Sequence, residues 1–196
     1  KVQASFWSAV AGTGRNSPAV FCYDLMNEPV IVGKKEEGWV TGELGGKSFV
    51  QRMTLEKGAR TQTEIAKAWV DKMTAAIRGQ DPHHMITVGV IPWAMVWPNA
   101  KPIFYAPEVS PALDFVSIHV FPKKGEIEKA LAALAVYDIG KPLLIEETFP
   151  LSCSIEEMDE FLKKSRARAE GYVSFYWGRT IDEYSKTAKT DITAAI

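Results

Sequence analysis

The sequence predicts an α/β fold in which a parallel β-sheet closes into a (β/α)8 TIM barrel. Apolar segments of strand length alternate with amphipathic helical segments, an order that favours parallel strands with helices packed outside them. Acidic and polar residues stand at the carboxyl ends of successive predicted strands, which is where (β/α)-barrels hold their functional side chains. An open doubly wound sheet is the competing arrangement, but no glycine-rich phosphate loop follows any of the strands.

The predicted strands number five, in a chain of 196 residues. Because a closed eight-stranded barrel needs about 250 residues, we expect residues 1–196 to form a single, incomplete domain that supplies roughly the last five βα units. Such a partial barrel would expose the edges of its first and last strands, and exposed edges pair readily with other chains. We therefore expect a partner, which is either the missing N-terminal barrel units or a second copy of the chain.

Each predicted element in the first half of the chain has a local signal. Apolar residues at helical spacing predict the end of a helix over residues 1–10, which the glycines that follow stop. Residues 19–26 form an apolar strand. Residues 30–60 are rich in glycine and charge and predict a long, partly ordered loop, of a length typical of lids and binding loops. Thr61 and Glu64 form a capping-box pattern, which opens an amphipathic helix.

The second half alternates strands and helices more regularly. Residues 85–90 and 113–120 are apolar β-rich segments, joined by an aromatic and proline-rich connection. The remaining elements are a helix at 125–138, a strand at 143–147, a helix capped by Ser154 and Glu157, and a strand at 172–177.

Composition excludes several functional classes. A net charge of -1 with no basic cluster argues against nucleic-acid binding, and no apolar run approaches the roughly 18 residues of a membrane span. No charged-then-apolar signal segment opens the chain. Cys22 and Cys153 cannot form a disulfide framework, and nothing in the sequence brings them together, so we expect free thiols.

Two acids at separate strand ends are the candidate catalytic residues. Glu28 is the leading candidate because an apolar strand delivers it to its carboxyl end, where Pro29 stops the strand; Glu147 ends a later strand. Glycoside hydrolysis needs such a pair, one acid to protonate the leaving oxygen and one carboxylate to attack or to activate water. On these residues alone, the alternative is that both acids are helix caps or salt bridges at the rim.

Two assignments stay open at this level. Side chains alternate along a strand, so Glu146 and Glu147 would face opposite ways, but both faces are apolar and the alternation does not select one acid. His119, at the end of its strand, could bond a sugar hydroxyl or a catalytic carboxylate, or it could be a satisfied core histidine.

Three segments together resemble a known family. YDLMNEP at residues 23–29 resembles the fourth-strand signature of family 5 glycoside hydrolases of clan A, the cellulase-like and β-mannanase-like enzymes. DFVSIHVFP at 114–122 resembles the sixth strand of these enzymes, and KPLLIEE at 141–147 resembles the seventh. The segments occur in the family's order, so the chain looks like the C-terminal part of such a catalytic domain.

The resemblance implies a retaining β-glycoside hydrolase that acts on a β-linked glucan or mannan-type polysaccharide or oligosaccharide and needs no metal or other cofactor. Glu28 would be the acid/base, and the second glutamate of the later pair, Glu147, would be the nucleophile. Substrate-binding roles would fall on Asn27, at the sugar 2-hydroxyl, on His119, and on Trp177, at the floor of the subsite for the cleaved sugar. The resemblance also implies an extracellular or periplasmic location.

One departure keeps other hypotheses open. Where many members of the family carry a tyrosine that donates to the nucleophile, this chain has Phe121, which cannot donate a hydrogen bond. A second hypothesis is therefore a non-catalytic carbohydrate-binding barrel, and the third is a metal-dependent barrel enzyme using His119, disfavoured because no two histidines end separate strands. The binding hypothesis relies on an aromatic rim, although aromatic residues more commonly fill cores: Trp39, Trp93, Trp97 and Trp177.

Overall fold

The fold was analysed in a computed structural model, which describes residues 1–39, 41–44 and 46–175. The helices are α1 (Val2–Gly14), α2 (Gln62–Arg78), α3 (Ile127–Ala135) and α4 (Ile155–Ser165), with short 3-10 turns at Trp93–Met95 and Ser110–Ala112. The strands are β1 (Cys22–Asp24), β2 (Val30–Ile31), β3 (Thr41–Leu44), β4 (Lys47–Val50), β5 (Arg52–Thr54), β6 (Met85–Thr87), β7 (Gly89–Val90), β8 (Val116–His119), β9 (Leu143–Thr148) and β10 (Gly171–Ser174).

Parallel pairing follows the order of the chain. β1 pairs with β6, β7 with β8, β8 with β9, and β9 with β10, and every one of these pairs is parallel. Because only Val88 separates β6 from β7, the two act as successive parts of one strand position. The described residues thus contain the five parallel strands that the sequence predicts, arranged as consecutive βα units are in a barrel.

Capping boxes fix the start of two helices, as predicted. The Thr61 side chain accepts from the backbone N–H of Glu64, whose carboxylate accepts from the N–H of Thr61 in return. Ser154 and Glu157 make the same reciprocal pair at the start of α4. Each box satisfies backbone N–H groups that have no partner within the helix.

The core lies between the sheet and the helices. Its strand side includes Ile86, Val116, Ile118 and Ile145, all with no exposed surface. The helices cover this layer with buried residues of their apolar stripes, among them Val70, Ile77, Leu134 and Phe161. Burial of each such side chain is worth about 1.5–3 kcal/mol, and this packing fixes the strand ends where the polar residues lie.

Several elements differ from their predicted extents. α1 does not stop at the first glycine but continues through Gly12 to Gly14. Of the predicted strand 19–26, only Cys22–Asp24 forms a strand, which pairs with the three residues of β6. The segment predicted as a partly ordered loop at 30–60 contains four short strands: β2 pairs in parallel with β5, and β3 and β4 form an antiparallel hairpin. Of the predicted strand 172–177, the last two residues lie outside the described part of the chain.

Two smaller findings concern the cysteines and the helices. Cys22 and Cys153 are free, as predicted. Within the described ranges, no helix has the length and apolar character that crossing a membrane requires.

Candidate active site

Three side chains from separate elements converge at the carboxyl ends of the strands. One carboxylate oxygen of Glu28, one of Glu147 and one ring nitrogen of His119 lie within 4.8 Å of one another. Nδ1 of His119 is 3.0 Å from Oε1 of Glu28 and 3.4 Å from Oε2 of Glu147. The imidazole is buried, whereas both carboxylates keep about a fifth of their side-chain surface exposed. The structure therefore brings together three of the residues that the sequence singles out.

Backbone contacts beyond β1 position Glu28. After the strand ends, the N–H of Leu25 donates to the carbonyl of Thr87 and the N–H of Glu28 donates to the carbonyl of Gly89. Glu28 has a φ of 47°, the left-handed conformation, and among the described residues it alone has a positive φ without being a glycine. This conformation costs an L-residue roughly 1–2 kcal/mol. Backbone strain of this kind concentrates at functional sites.

A β-bulge turns both glutamates of β9 toward the same histidine. Ile118 of β8 pairs with Ile145, but His119 pairs with Glu147, so the register skips Glu146. Two residues of β9 then oppose one step of β8, which breaks the alternation of faces. Oε2 of Glu146 lies 3.7 Å from Nε2 of His119, while Glu147 approaches Nδ1 of the same ring.

Polar groups on the strands beneath the site form a second layer. The hydroxyl of Ser117 donates to Oε2 of Glu146. Oδ1 of Asp24 accepts from the backbone N–H of Gly89 at 2.8 Å and from that of Met26 at 3.3 Å. Ser117 stands two residues before His119, so the period of a strand places both on one face. This spacing is visible in the sequence.

A loop residue that the sequence did not single out also reaches the site. Nε2 of Gln51 donates to Oε2 of Glu28 at 3.1 Å. The residue precedes β5, inside the glycine-rich segment, and no local pattern marks it. Its contact depends on how β2 and β5 pair.

The surrounding carboxylates make His119 a cation at neutral pH. Burial on its own would lower the pKa of His119. The contact with Glu146, the hydrogen bond with Glu28 and the charges of Glu147 and Glu28 outweigh burial and raise the pKa to about 9. Both ring nitrogens therefore carry hydrogen at pH 7: Nδ1 faces Glu28 and Glu147, and Nε2 faces Glu146.

The acids of the site differ in their pKa shifts. Burial, together with the charges of Glu28 and Glu146, raises the pKa of Glu147, and the His119 charge opposes this. Burial also acts to raise the pKa of Glu146, but the nearby His119 ring and the hydrogen bond from Ser117 prevail and lower it. Asp24 has a pKa raised to about 6, through burial and then through the charge of Glu146. The two adjacent glutamates thus occupy different electrostatic environments.

Glu28, His119 and Glu147 are also the group of candidate metal ligands found among the described residues. A metal would need the lone pair of a neutral imidazole. The raised pKa of His119 works against that, because the cation must first lose a proton. The expectation that no metal is required stays a prediction.

The other predicted substrate-binding residues are placed as follows. Asn27 is exposed beside Glu28. Trp93, half-buried in the turn after β7, lines a small pocket together with Pro29, and its ring centroid lies 5.3 Å from that of Trp97. Trp39 is 48% exposed between β2 and β3, so a core role does not apply to it. Trp177 lies outside the described residues.

Phe121, the departure from the family pattern, has an aromatic partner. Its ring meets that of Phe175 edge-on, with centroids 5.3 Å apart. The side chain offers no hydroxyl, so a hydrogen bond from this position to Glu147 is excluded. The positively charged group near Glu147 is His119 instead, with Nδ1 at 3.4 Å from Oε2.

A family model and several solved structures match the chain. The family model described as Cellulase (glycosyl hydrolase family 5) matches residues 1–123. No curated protein sequence matches the chain significantly.

Similar solved structures include a β-1,4-mannanase from the sea hare Aplysia kurodai, at 16% identity and a TM-score of 0.53, over 86% of this chain and 52% of that one. A β-mannanase from the blue mussel Mytilus edulis matches at 21% identity and a TM-score of 0.54, over 86% of this chain and 51% of that one. The exo-β-1,4-mannosidase Op5Man5 from Opitutaceae bacterium strain TAV5 matches at 15% identity and a TM-score of 0.54, over 94% of this chain and 34% of that one. At these identities the likeness establishes the fold, part of a (β/α)8 barrel, and the chain spans about half the length of the two mannanases.

Proposed function

Since the chain belongs to glycosyl hydrolase family 5, we propose that it carries the two catalytic carboxylates of a retaining β-glycoside hydrolase. One observation carries the proposal: oxygens of Glu28 and Glu147 lie within 4.8 Å of each other, around the same nitrogen of His119. Retaining enzymes hold their two carboxyl groups about 5–5.5 Å apart, whereas inverting enzymes need about 6.5–9.5 Å to admit a water. The spacing supports the retaining alternative.

In the first step, an oxygen of Glu147 attacks the anomeric carbon and forms a covalent glycosyl-enzyme. The bond from that carbon to the leaving oxygen breaks, and Glu28 transfers its proton to this oxygen. In the second step, Glu28, now ionised, takes a proton from water as the water attacks the same carbon. Glu147 leaves as a carboxylate, and the sugar keeps its original anomeric configuration.

His119 serves both steps as a fixed positive charge. Its Nδ1–H is within reach of Glu28 and of Glu147, so it orients one oxygen of each. A cation at this distance favours the ionised form of Glu147, which must be ionised to attack, and opposes the rise in pKa that burial produces. The exposed fraction of both carboxylates leaves access for a sugar.

The proposed substrate is a β-linked glucan or mannan-type polysaccharide or oligosaccharide. The family's printed name points to cellulose-like glucans, and the similar structures include two β-mannanases. Asn27 would bond the 2-hydroxyl of the reacting sugar, and Trp93, Trp39 and Trp177 would stack on sugar faces, as aromatic rings commonly do at amphipathic ligands. No cofactor enters the proposed reaction.

A trapping experiment tests the assignment of the nucleophile. The full-length protein is incubated with a 2-fluoro glycoside bearing an activated leaving group, and the labelled peptide is sequenced by mass spectrometry. We expect the label on Glu147. A label on Glu146 would overturn the assignment, and analysis of the product's anomeric configuration by NMR separately tests retention.

A non-catalytic carbohydrate-binding barrel is the second candidate. Phe121 favours it, because the hydroxyl that many relatives direct at the nucleophile is missing. Calorimetry and product analysis on a panel of β-glucans and β-mannans separate the two. Binding with no release of reducing ends by the full-length protein would support the second candidate.

Partner and location are part of the proposal. Among the described residues, β1 pairs with β6 and with no second strand, so its other edge is open. We propose that further barrel units or a second copy of the chain complete the sheet. Mass spectrometry and light scattering on purified protein distinguish a longer polypeptide from a dimer of 21.7 kDa chains. Cell fractionation tests the proposed extracellular or periplasmic location.

A further inference from the structure

We propose that Gln51 is a positioning residue for Glu28, anchoring the oxygen that His119 does not hold. The inference rests on the proposed function, because it concerns the acid/base step. Through Gln51, the connection between β2 and α2 would help to orient the proton donor, Glu28.

The first observation is that the two oxygens of Glu28 have different partners. Oε1 lies 3.0 Å from Nδ1 of His119, and Oε2 accepts from Nε2 of Gln51 at 3.1 Å. A carboxyl group held at one oxygen can still rotate about its terminal bond, whose torsional preference is broad. Two anchors on opposite oxygens define its plane, and with it the direction in which the proton leaves.

The second observation is that the backbone holds Gln51 in place. The carbonyl of Gln51 accepts from the N–H of Val30 at 2.7 Å, and the next residues pair in parallel with β2. Val30 is two residues beyond Glu28, so the same contact fixes the segment that carries the acid. The Gln51 side chain is half-buried, which limits competition from water.

The third argument is chemical. A retaining mechanism takes Glu28 through a protonated and an ionised state in every turnover. An amide is uncharged and offers both donor hydrogens and an acceptor oxygen, so it can pair with either state. Lysine or arginine at this place would donate only and would favour the ionised acid. Glutamine therefore orients the group without blocking its proton transfer.

The test uses Gln51→Leu in the full-length protein with two aryl β-glycosides. One has a poor leaving group that needs protonation, and the other, a dinitrophenyl glycoside, does not. We expect kcat/KM to fall about 10-fold on the first substrate, since general acid catalysis contributes about 100- to 10,000-fold, and to change less than about twofold on the second. This ratio reports the step that forms the glycosyl-enzyme. A merely structural role would lower both values equally.

Gln62→Leu is the matched control. Gln62 is another partly buried glutamine of the same region, and its Nε2 donates to the carbonyl of Ile31 and not to Glu28. We expect this variant to lower the melting temperature with no dependence on the leaving group. If Gln51→Leu does not fold, Gln51→Met, which keeps the unbranched shape, replaces it.

Glu28→Ala separates failure of this inference from failure of the proposed function. If Glu28→Ala keeps full activity on the poor leaving group, the proposed function is wrong. If Glu28→Ala shows the leaving-group dependence but Gln51→Leu shows equal losses or none, only the role of Gln51 is overturned.

Discussion

The α-carbon of Gly89 faces the ring of His119 so closely that a β-carbon at position 89 would lie 2.6 Å from Nε2 of His119. The same β-carbon would be 2.7 Å from Oε2 of Glu146 and 2.9 Å from Oδ2 of Asp24. Contacts this short do not occur in folded proteins. The side chains of His119, Glu146 and Asp24 therefore pack directly against Gly89, where any side chain would clash with them.

Gly89→Ala should disrupt the site because the added methyl group displaces His119 and Glu146. We expect a loss of stability of about 1–3 kcal/mol, typical of overpacking, and a loss of most glycosidase activity. Urea unfolding and kcat/KM measure the two effects. Gly12→Ala is the control: its β-carbon would make only an ordinary contact at 3.6 Å in α1, so stability should rise slightly. Full activity in Gly89→Ala would contradict the described packing.

The sequence predicted the strand ends well, and with them Glu28, His119 and Glu147. Each of these lies at or just beyond the carboxyl end of a strand whose apolar pattern is local, so its place at the rim could be inferred without a structure. The bulge in β9 could not be predicted, because it arises from how β8 and β9 pair. The strand alternation therefore left the choice between Glu146 and Glu147 open.

The contact from Gln51 was also beyond prediction, for a different reason. It depends on a parallel pairing between two short strands inside a segment whose composition indicates a loop. The positive φ of Glu28 could not be predicted from the sequence either. That conformation is usual for glycine, and among other residues it is adopted mainly by asparagine and aspartate. Local sequence patterns thus predict the positions of the acids, whereas their surroundings depend on long-range strand pairing.

Glu146 and Glu147 should respond differently to the same substitution. Glu147→Gln removes the proposed nucleophile, and we expect kcat/KM to fall at least about 1,000-fold. Glu146→Gln removes a negative charge that helps to raise the pKa of His119. It should keep measurable activity, while the alkaline limb of the pH profile moves to lower pH as His119 loses its proton earlier. Equal inactivation of both variants, with both folded, would contradict these separate roles.

Asp81 should control stability in acid. Its carboxylate is fully buried and accepts from the Tyr23 hydroxyl at 2.7 Å and from the N–H groups of His83 and His84. Burial alone would raise the pKa of Asp81, but these hydrogen bonds hold it well below the usual range. The stability it contributes is therefore present above about pH 4 and is lost as the pH falls through the lowered pKa.

Asp81→Asn should cost about 2–4 kcal/mol at pH 7, since several hydrogen bonds to a buried charge are weakened. The difference from the wild type should shrink in acid. Urea unfolding at pH 7 and pH 3 measures both. Asp71→Asn is the control, because the Asp71 side chain pairs with Lys67 at the exposed surface and its loss should change stability by less than about 0.5 kcal/mol. Equal effects of the two variants would contradict the prediction.

His119 should titrate far above an ordinary histidine. Its pKa is raised to about 9, against about 6.5 in an unfolded chain, so its positive charge stabilises the folded state fully below about pH 6.5. That stabilisation is lost as the pH rises through 9. Asp24, with a pKa raised to about 6, has completed its titration before most of this window. Burial and then the charge of Glu146 raise the pKa of Cys22 to about 12, so Cys22 also lowers stability above about pH 8.5. The contribution of His119 is therefore the difference between the wild type and His119→Asn.

NMR measures the midpoint directly from the ring carbon protons of His119, assigned by comparison with His119→Asn. We expect a midpoint near pH 9 and, in urea unfolding between pH 6.5 and pH 9.5, a loss of stability that is roughly 2–3 kcal/mol larger in the wild type than in His119→Asn. The carboxylates cause the shift, so Glu146→Gln should lower the midpoint, whereas Asp71→Asn should leave it unchanged. A wild-type midpoint at or below pH 6.5 would mean that His119 is neutral during catalysis and cannot hold Glu28 and Glu147 as a cation.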